Sequence, residues 1–311
     1  MGTSANGNGG HKPVLLEEVL SALAPKPGGL YLDCTLGGGG HAEAILDAAG
    51  RGSRLIGLDR DESALGRAGE RLKRFGDGVE LHHGRFERMK EFLAGREPDG
   101  IVIDLGVSSF MLDEADRGFS FRADAPLDMR MDRTESLTAR EIVNTWSEAD
   151  LVRIFFEYGE ERFSRKIARR IVEARPVDTT LHLAQIIASA YPKGQHKINP
   201  ATRVFMALRI SVNGELEDLG EAMNGAVDAL KTGGRLAVIT FHSLEDRIVK
   251  RSFARMAAGC VCPPRLPVCV CDKKAQVKLL ARRPISASDE EIAQNPRSRS
   301  AHLRVVEKEA A

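Results

Sequence analysis

Apolar and polar positions follow two different rhythms along the chain, and the change of rhythm divides it. From Gly29 onward, short apolar runs ending in an acid or a turn residue are each followed by a segment whose apolar positions recur at helical spacing. Residues 29–35 predict a buried strand entering a tight turn, and 41–49 a helix. Residues 54–59, 79–83 and 100–106 predict further strands, with helices over 62–75 and 87–93 between them. A strand buried on both faces needs no polar side, so short apolar strands alternating with helices predict a parallel sheet covered on both faces. After Gly106 the rhythm breaks. Residues 107–133 read as loop, and four helical stretches follow with no strand between them, at 138–146, 148–158, 162–174 and 181–191. Helix is expected to continue from about 199 to 231, stopped by Gly233-Gly234. Residues 235–241 resume the strand pattern, 244–257 predict a helix, and 278–282 are expected to pair with 303–306 as a last hairpin.

These rhythms set the expected organisation. Residues 1–10, rich in Gly, Asn and Ser, have nothing to bury and read as a disordered tail. Residues 11–112 and 199–311 are expected to form one α/β domain, interrupted by an inserted helical domain over 113–198. Composition adds limits. With 311 residues and 42% hydrophobic content a sizeable core is available. A formal charge of +1, from 45 basic and 44 acidic residues, shows no whole-chain affinity for polyanions, although a sum can hide a patch. No apolar run is long enough for a membrane span, and the first residues lack the apolar stretch of a secretory signal, so a cytoplasmic protein without membrane contact is expected. Five cysteines, an odd number, argue against a disulfide scaffold, and one Trp with three Tyr exclude broad stacking surfaces.

Candidate chemistry gathers at the ends of the predicted strands. In the stretch from Leu32 to His41 (LDCTLGGGGH), glycines at a strand-to-helix junction let the backbone approach a ligand and aim helix N-terminal N–H groups at it. Gly37, Gly39 and Ala42 satisfy G-x-G-x-x-A, and Asp59 ends the second strand where a ribose-binding acid belongs. That pattern alone fits a nicotinamide dinucleotide equally well. Asp33, just before the glycines, and Asp104, at the end of the fourth strand, tilt the reading. An acid beside a pyrophosphate cradle repels its ligand, whereas the cationic S-adenosylmethionine welcomes one. The bland reading, three acids capping turns, is the weaker one for all three together with the glycines. After Asp104 comes Leu105-Gly106-Val107-Ser108-Ser109, at the sheet edge where ligands of open α/β folds bind. Asp104 and the hydroxyl of Ser108 or Ser109 suit an acceptor amine, whose N–H groups must be held; local turn bonding explains the serines as well.

Other features point less sharply. Phe119 and Phe121 in the long loop are either a base-stacking lip or anchors of that loop. Arg162, Arg165, Lys166, Arg169 and Arg170 share one predicted helix, and Arg247, Lys250, Arg251 and Arg255 another. Solvated faces explain such clusters, and nucleic-acid contact explains two of them beside a cofactor edge. Asn199, Thr202, Arg203, Arg209, Asn213 and Glu215 form a polar stripe assigned to the same sheet edge as His242, which is given substrate positioning at most. Cys260-x-Cys262 and Cys269-x-Cys271 bracket a proline-rich loop. A zinc clip and four unligated thiols stand as alternatives, C-x-C being less typical of zinc sites than C-x2-C, and no residue is assigned as a metal ligand.

Ten strings from His11 onward resemble, in order, the RsmH or MraW family of bacterial ribosomal RNA cytosine-N4 methyltransferases: HKPVLLEEV, YLDCTLGGGGH, GLDRD, IVIDLGVSS, RGFSF, PLDMRMD, YGEERFSRKIARRIV, NPATRVFMALRISVNGELE, FHSLEDRIVKR and NPRSRSAHLRV. The resemblance implies a class I, Rossmann-like methyltransferase fold with a helical insert after the fourth strand. It further implies S-adenosylmethionine as cofactor and the exocyclic N4 of a cytidine in the decoding region of 16S ribosomal RNA as acceptor. The partner is then small-subunit ribosomal RNA or the assembled small subunit. By position, Gly39, Gly40 and His41 are implied to contact the cofactor, Asp59 its ribose, Phe86 its adenine and Asp104 its methionine end. Asp104 and Ser108 are the expected catalytic pair. Where the family usually has Pro-Gln, Phe110-Met111 stand here, so a cofactor contact at Met111 is apolar or made by backbone. An NAD(P)-dependent oxidoreductase and a non-catalytic RNA-binding assembly factor are the rival readings.

Overall fold

The computed structural model describes residues 13–192, 194, 199–260, 262, 270–271 and 273–310. The expected tail over 1–10 and Cys269 lie outside the described residues. The chain divides into two compact units: Met1–Leu105 with Gly220–Ala311, and Gly106–Leu219.

The first unit is an α/β sheet. It opens with helix α1 (Leu16–Leu23), β1 (Leu30–Asp33), α2 (Gly40–Ala49), β2 (Arg54–Asp59), α3 (Glu62–Leu72), β3 (Val79–His83), α4 (Met89–Leu93) and β4 (Gly100–Asp104). The apolar strands form because both faces are covered: in β1, β2 and β4 nearly every residue is buried. The charged stretch after residue 61 forms α3 with Ala64, Ala68 and Leu72 turned inward, and Asp61 caps its first turn by accepting the Ser63 N–H at 3.1 Å.

The second unit is helical, with α5 (Ser109–Asp113), α6 (Ala139–Thr145), α7 (Glu148–Glu157), α8 (Ser164–Glu173), α9 (Thr180–Ala190) and α10 (Ala201–Asn213). Its core collects Leu127, Met129, Ile142, Leu151, Phe155, Ile167, Leu183, Val204 and Leu208, among others. The long loop preceding α6 is anchored in it. Phe119 is buried there, and Phe121 packs edge-on against Phe205 with ring centroids 4.9 Å apart. The bounds of this unit, Gly106–Leu219, are wider than the 113–198 expected, because α10 packs on α6, α7 and α9, and Met111 of α5 is buried in the same core.

The continuous helix expected over 199–231 is broken. α10 ends at Gly214, whose φ of 60° places it in the left-handed region while its N–H closes on the Ile210 carbonyl. That is a helix stop that glycine adopts without the Cβ penalty. A new helix, α11 (Leu219–Ala229), leads back into the sheet with β5 (Arg235–Thr240), α12 (Ser243–Ala257), β6 (Val277–Leu279), β7 (Ile285–Ser286), α13 (Asp289–Gln294) and β8 (His302–Lys308).

The sheet runs β3-β2-β1-β4-β5-β8-β6, with β7 pairing β8. The first five strands are parallel, and β8 inserts antiparallel between β5 and β6. The expected last pairing therefore forms, but through a long return carrying β7 and α13 rather than a tight hairpin. The architecture is the Rossmann-like α/β class expected. Its strand order reverses beside β1, where β1 is followed in space by β2 on one side and β4 on the other, the place at which open parallel sheets bind ligands.

Candidate active site

The register of the central strands puts three acids at one edge. Asp33 lies level with Gly57 of β2 and Val102 of β4. Asp59 and Asp104 therefore flank it on either side, each two residues, or about 7 Å, further along. The glycine turn that follows β1 runs between them. Gly37 and Gly39 have φ of 54° and 75°, and a Cβ on Gly39 would stand 3.2 Å from the Ala68 Cβ, so the turn lies close on α3. Asp59 holds this turn: its Oδ2 accepts the Gly37 N–H at 2.7 Å and its Oδ1 the Asp61 N–H at 2.8 Å. Burial pushes its carboxyl above the ordinary range.

Asp33 is fully enclosed, and burial pushes its pKa up to about 7, with the charge of Asp59 adding to the effect. Backbone N–H groups of Thr35 and Ala42 bond its carboxylate and oppose that rise. Ala42 is in the first turn of α2. The helix N-terminus that a dinucleotide fold offers to pyrophosphate is thus spent here on a carboxylate of the chain itself, which disfavours a second anion at the same spot.

Asp104 closes the edge. Its N–H donates to the Thr35 Oγ1 at 2.6 Å, tying the exits of β1 and β4 together. One carboxyl oxygen, Oδ2, is 3.9 Å from the His41 Nδ1, and the other, Oδ1, is buried with no hydrogen-bond partner among the described residues. Burial, then the charges of Asp33 and Glu245, raise its pKa well above the usual value. His41 is buried, its Nε2 3.0 Å from the Val14 carbonyl, which accepts only if that nitrogen carries the proton. Burial lowers the imidazole to about 4, so His41 is neutral and turns an unprotonated Nδ1 toward Asp104. An orphaned carboxylate oxygen among acids that hold protons too tightly is an arrangement that a bound cation would relieve.

The remaining expected residues sort as follows. Phe86 is half-buried in a short 3-10 turn just beyond β3, the strand that pairs with β2 up to Asp59 and His83. Ser108 caps α5, its hydroxyl oxygen accepting the Met111 N–H at 3.3 Å, and Met111 is packed into the core of the helical unit. His242 caps α12: its Nδ1 takes the Glu245 N–H while the Glu245 carboxylate takes the His242 and Phe241 N–H groups. That is a structural bonding role. The polar stripe runs along α10 and its flanks in the helical unit, whereas His242 belongs to the sheet unit. Within it Arg209 pairs with both oxygens of Glu215 at 2.9 Å, and Asn213 bonds the Met129 carbonyl and the Met131 N–H, each at 2.8 Å. Sequence reasoning missed Thr35 and Glu245. The second was readable as the N3 partner of a capping box three residues after His242.

Both basic helices present exposed charge: Arg165, Lys166 and Arg169 on α8, and Arg247, Lys250, Arg251 and Arg255 on α12. Among the described residues no helix is long and apolar enough to cross a membrane. A cavity of about 440 Å³ opens at the other end of β5, beside Arg235, Glu17 and Leu280, and none of the three acids lines it.

Residues 8–309 match the profile of the MraW methylase family. A protein of Geobacter sp. strain M21 named ribosomal RNA small subunit methyltransferase H is 54% identical over 306 residues, which cover 96% of this chain and 98% of the relative. Proteins of the same name from Symbiobacterium thermophilum and Heliobacterium mobile are 53% and 52% identical, each covering 96% of this chain and 96% and 98% of the relative.

Proposed function

From the premise that the chain belongs to the MraW methylase family and is an S-adenosylmethionine-dependent methyltransferase, we propose that it methylates the exocyclic N4 of a cytidine in the decoding region of 16S ribosomal RNA. The observation that supports this reading is the buried Oδ1 of Asp104, without a hydrogen-bond partner among the described residues, at the edge where Asp33 and Asp59 also converge.

S-adenosylmethionine supplies, when bound, an electrophilic methyl group on a sulfonium and a second positive charge on its ammonium. The residues present fit it. Gly39 and Gly40 carry no side chain where the backbone must lie close, since a Cβ on Gly40 would stand 2.4 Å from the Pro13 ring. Asp59 has lone pairs left for ribose hydroxyls after its two backbone bonds, and Phe86 offers a ring beyond β3 for the adenine. Asp33 and Asp104 supply negative charge that the cations neutralise, and His41, uncharged, adds no competing one. A cytosine amine is a weak nucleophile because its lone pair is delocalised into the ring. Asp104 Oδ1, accepting one N–H, would hold the amine in place; as the nitrogen takes the methyl group the carbon–sulfur bond would break, S-adenosylhomocysteine would leave, and the displaced N–H proton would pass to solvent. The nucleobase must be single-stranded or flipped for its amine to reach this edge. The exposed face of α12 supplies positive charge for phosphates.

The test is Asp104→Ala, assayed with S-adenosylmethionine on small subunits lacking the modification and read by nucleoside mass spectrometry. Wild type is expected to yield N4-methylcytidine and the variant none. Full activity of the variant, or methylation at another atom, overturns the proposal. Calorimetry with S-adenosylhomocysteine and with NAD is expected to show binding of the first alone.

A further inference from the structure

The thiols of Cys260, Cys262 and Cys271 converge. Their sulfurs all lie within 4.8 Å of one another, and those of Cys260 and Cys271 are 3.7 Å apart. Cys260 and Cys262 follow the end of α12, and Cys271 approaches the start of β6, with the base of the loop closed by the Gln276 N–H on the Met256 carbonyl at 2.9 Å. Burial does not gather these sulfurs. Among the described residues between Met256 and Val277 none is buried, and Val270 is 73% exposed. Among the described residues of the loop there is thus no apolar core to bring three thiols to one point.

The spacing matches a metal instead. Thiolates about 2.3 Å from a tetrahedral zinc ion stand about 3.8 Å from each other, and the Cys260–Cys271 separation is close to that edge, far longer than a disulfide bond of about 2.05 Å. The backbone is arranged for anionic sulfur as well. The Cys262 N–H points at the Cys260 sulfur and the Val270 N–H at the Cys262 sulfur, both at 3.4 Å. Amide donors aimed at sulfur stabilise the thiolate over the thiol and are the outer bonds that hold metal-bound sulfurs in place.

We propose that Cys260, Cys262 and Cys271 bind a thiophilic tetrahedral divalent ion of the zinc class, clipping the loop between α12 and β6. Each thiol gives up its proton to solvent on binding, and no electron is transferred. Soft sulfur donors exclude magnesium and calcium. The fourth tetrahedral position is left to a further donor.

The full chain, without an affinity tag, would be produced in zinc-supplemented medium and its metal measured by mass spectrometry. About one zinc per chain is expected, falling to background in the C260S/C262S/C271S variant. Should that variant fail to fold, wild type stripped of metal and titrated with cobalt provides the second reading, with a thiolate-to-cobalt charge-transfer band and intense tetrahedral visible bands expected. Wild type without metal and without those bands overturns the site. So does zinc that persists in the folded triple variant, or a Cys260–Cys271 disulfide in protein isolated under reducing conditions.

Discussion

At the scale of single residues, the edge of the sheet is a place where folding has been charged for ligand binding. Asp33 is enclosed with a pKa of about 7, so near neutral pH a large fraction of ligand-free molecules holds a proton there. A cationic ligand requires the ionised form and must displace that proton. The sign follows from linkage: binding releases protons, and affinity for S-adenosylhomocysteine, which keeps the ammonium, rises as pH rises from about 6 toward about 7.5, a range in which the ligand's own amine stays protonated. His41 does not confuse the reading, since its proton is already lost above about 4. Calorimetry in buffers of different ionisation enthalpy would measure the proton release; Asp33→Asn should reduce it and weaken the pH dependence of binding, leaving the share that Asp104 releases. Unaltered proton release in that variant would assign the titration elsewhere. The acids themselves were legible, because an apolar run that stops at an aspartate marks a strand end. Their protonation was not. It depends on Asp33 being level with Gly57 and Val102, on Glu245 arriving from β5's far side in sequence, and on Val14 accepting from an imidazole 27 residues away.

At the scale of elements, turns and caps carry the site, and two of them can be broken separately. Gly39 sits at φ 75° against α3. An alanine there costs about 1–2 kcal/mol for the left-handed backbone and pushes on Ala68, displacing the turn that Asp59 holds. Gly39→Ala is therefore expected to weaken cofactor binding at least tenfold while a urea melt shows only that modest loss; unchanged affinity would remove the turn from the cofactor site. Asn213 does a different job in the helical unit. It is buried and spans from α10 to the Met129–Met131 loop, where Met129 has φ 62° and Arg117 also bonds the Arg130 and Met131 carbonyls at 3.0 Å. Asn213→Ala strips one donor and one acceptor from that loop and should cost about 2–4 kcal/mol in the same melt. A loss under about 0.5 kcal/mol would show that the loop is held by its apolar contacts instead. Helical periodicity made α10 readable as a helix, but the stripe along it looked like a binding surface. Polar residues at helical spacing signal only that they face one way; whether a loop or a ligand meets them is decided by chain segments some 80 positions distant.

For the whole molecule, a formal charge of +1 conceals separation rather than neutrality. In the sheet unit Asp33, Asp59, Asp104 and Glu245 are drawn inward toward one edge, while Arg247, Lys250, Arg251 and Arg255 stand exposed along α12. The alternating strands and helices were enough to read the parallel sheet and the helical interruption. The order in which strands pair was not readable, because the insertion of β8 between β5 and β6 depends on contacts that local periodicity does not encode. The consequence of the charge separation can be measured. If α12 meets phosphates, each neutralised phosphate releases a counterion, and log affinity for RNA falls linearly with log salt, with a slope of about −0.7 to −0.9 per contact. Replacing Lys250, Arg251 and Arg255 by glutamine leaves the buried residues Val249, Phe253 and Met256 untouched, so α12 keeps its seat. The variant's slope is then expected to be shallower by about 2, its KM for the RNA substrate higher at physiological salt, and its kcat at saturating substrate unchanged, because none of the three touches the reacting edge. A slope equal to that of wild type would mean that α12 is a solvated face and that the RNA is held by other charges of the chain.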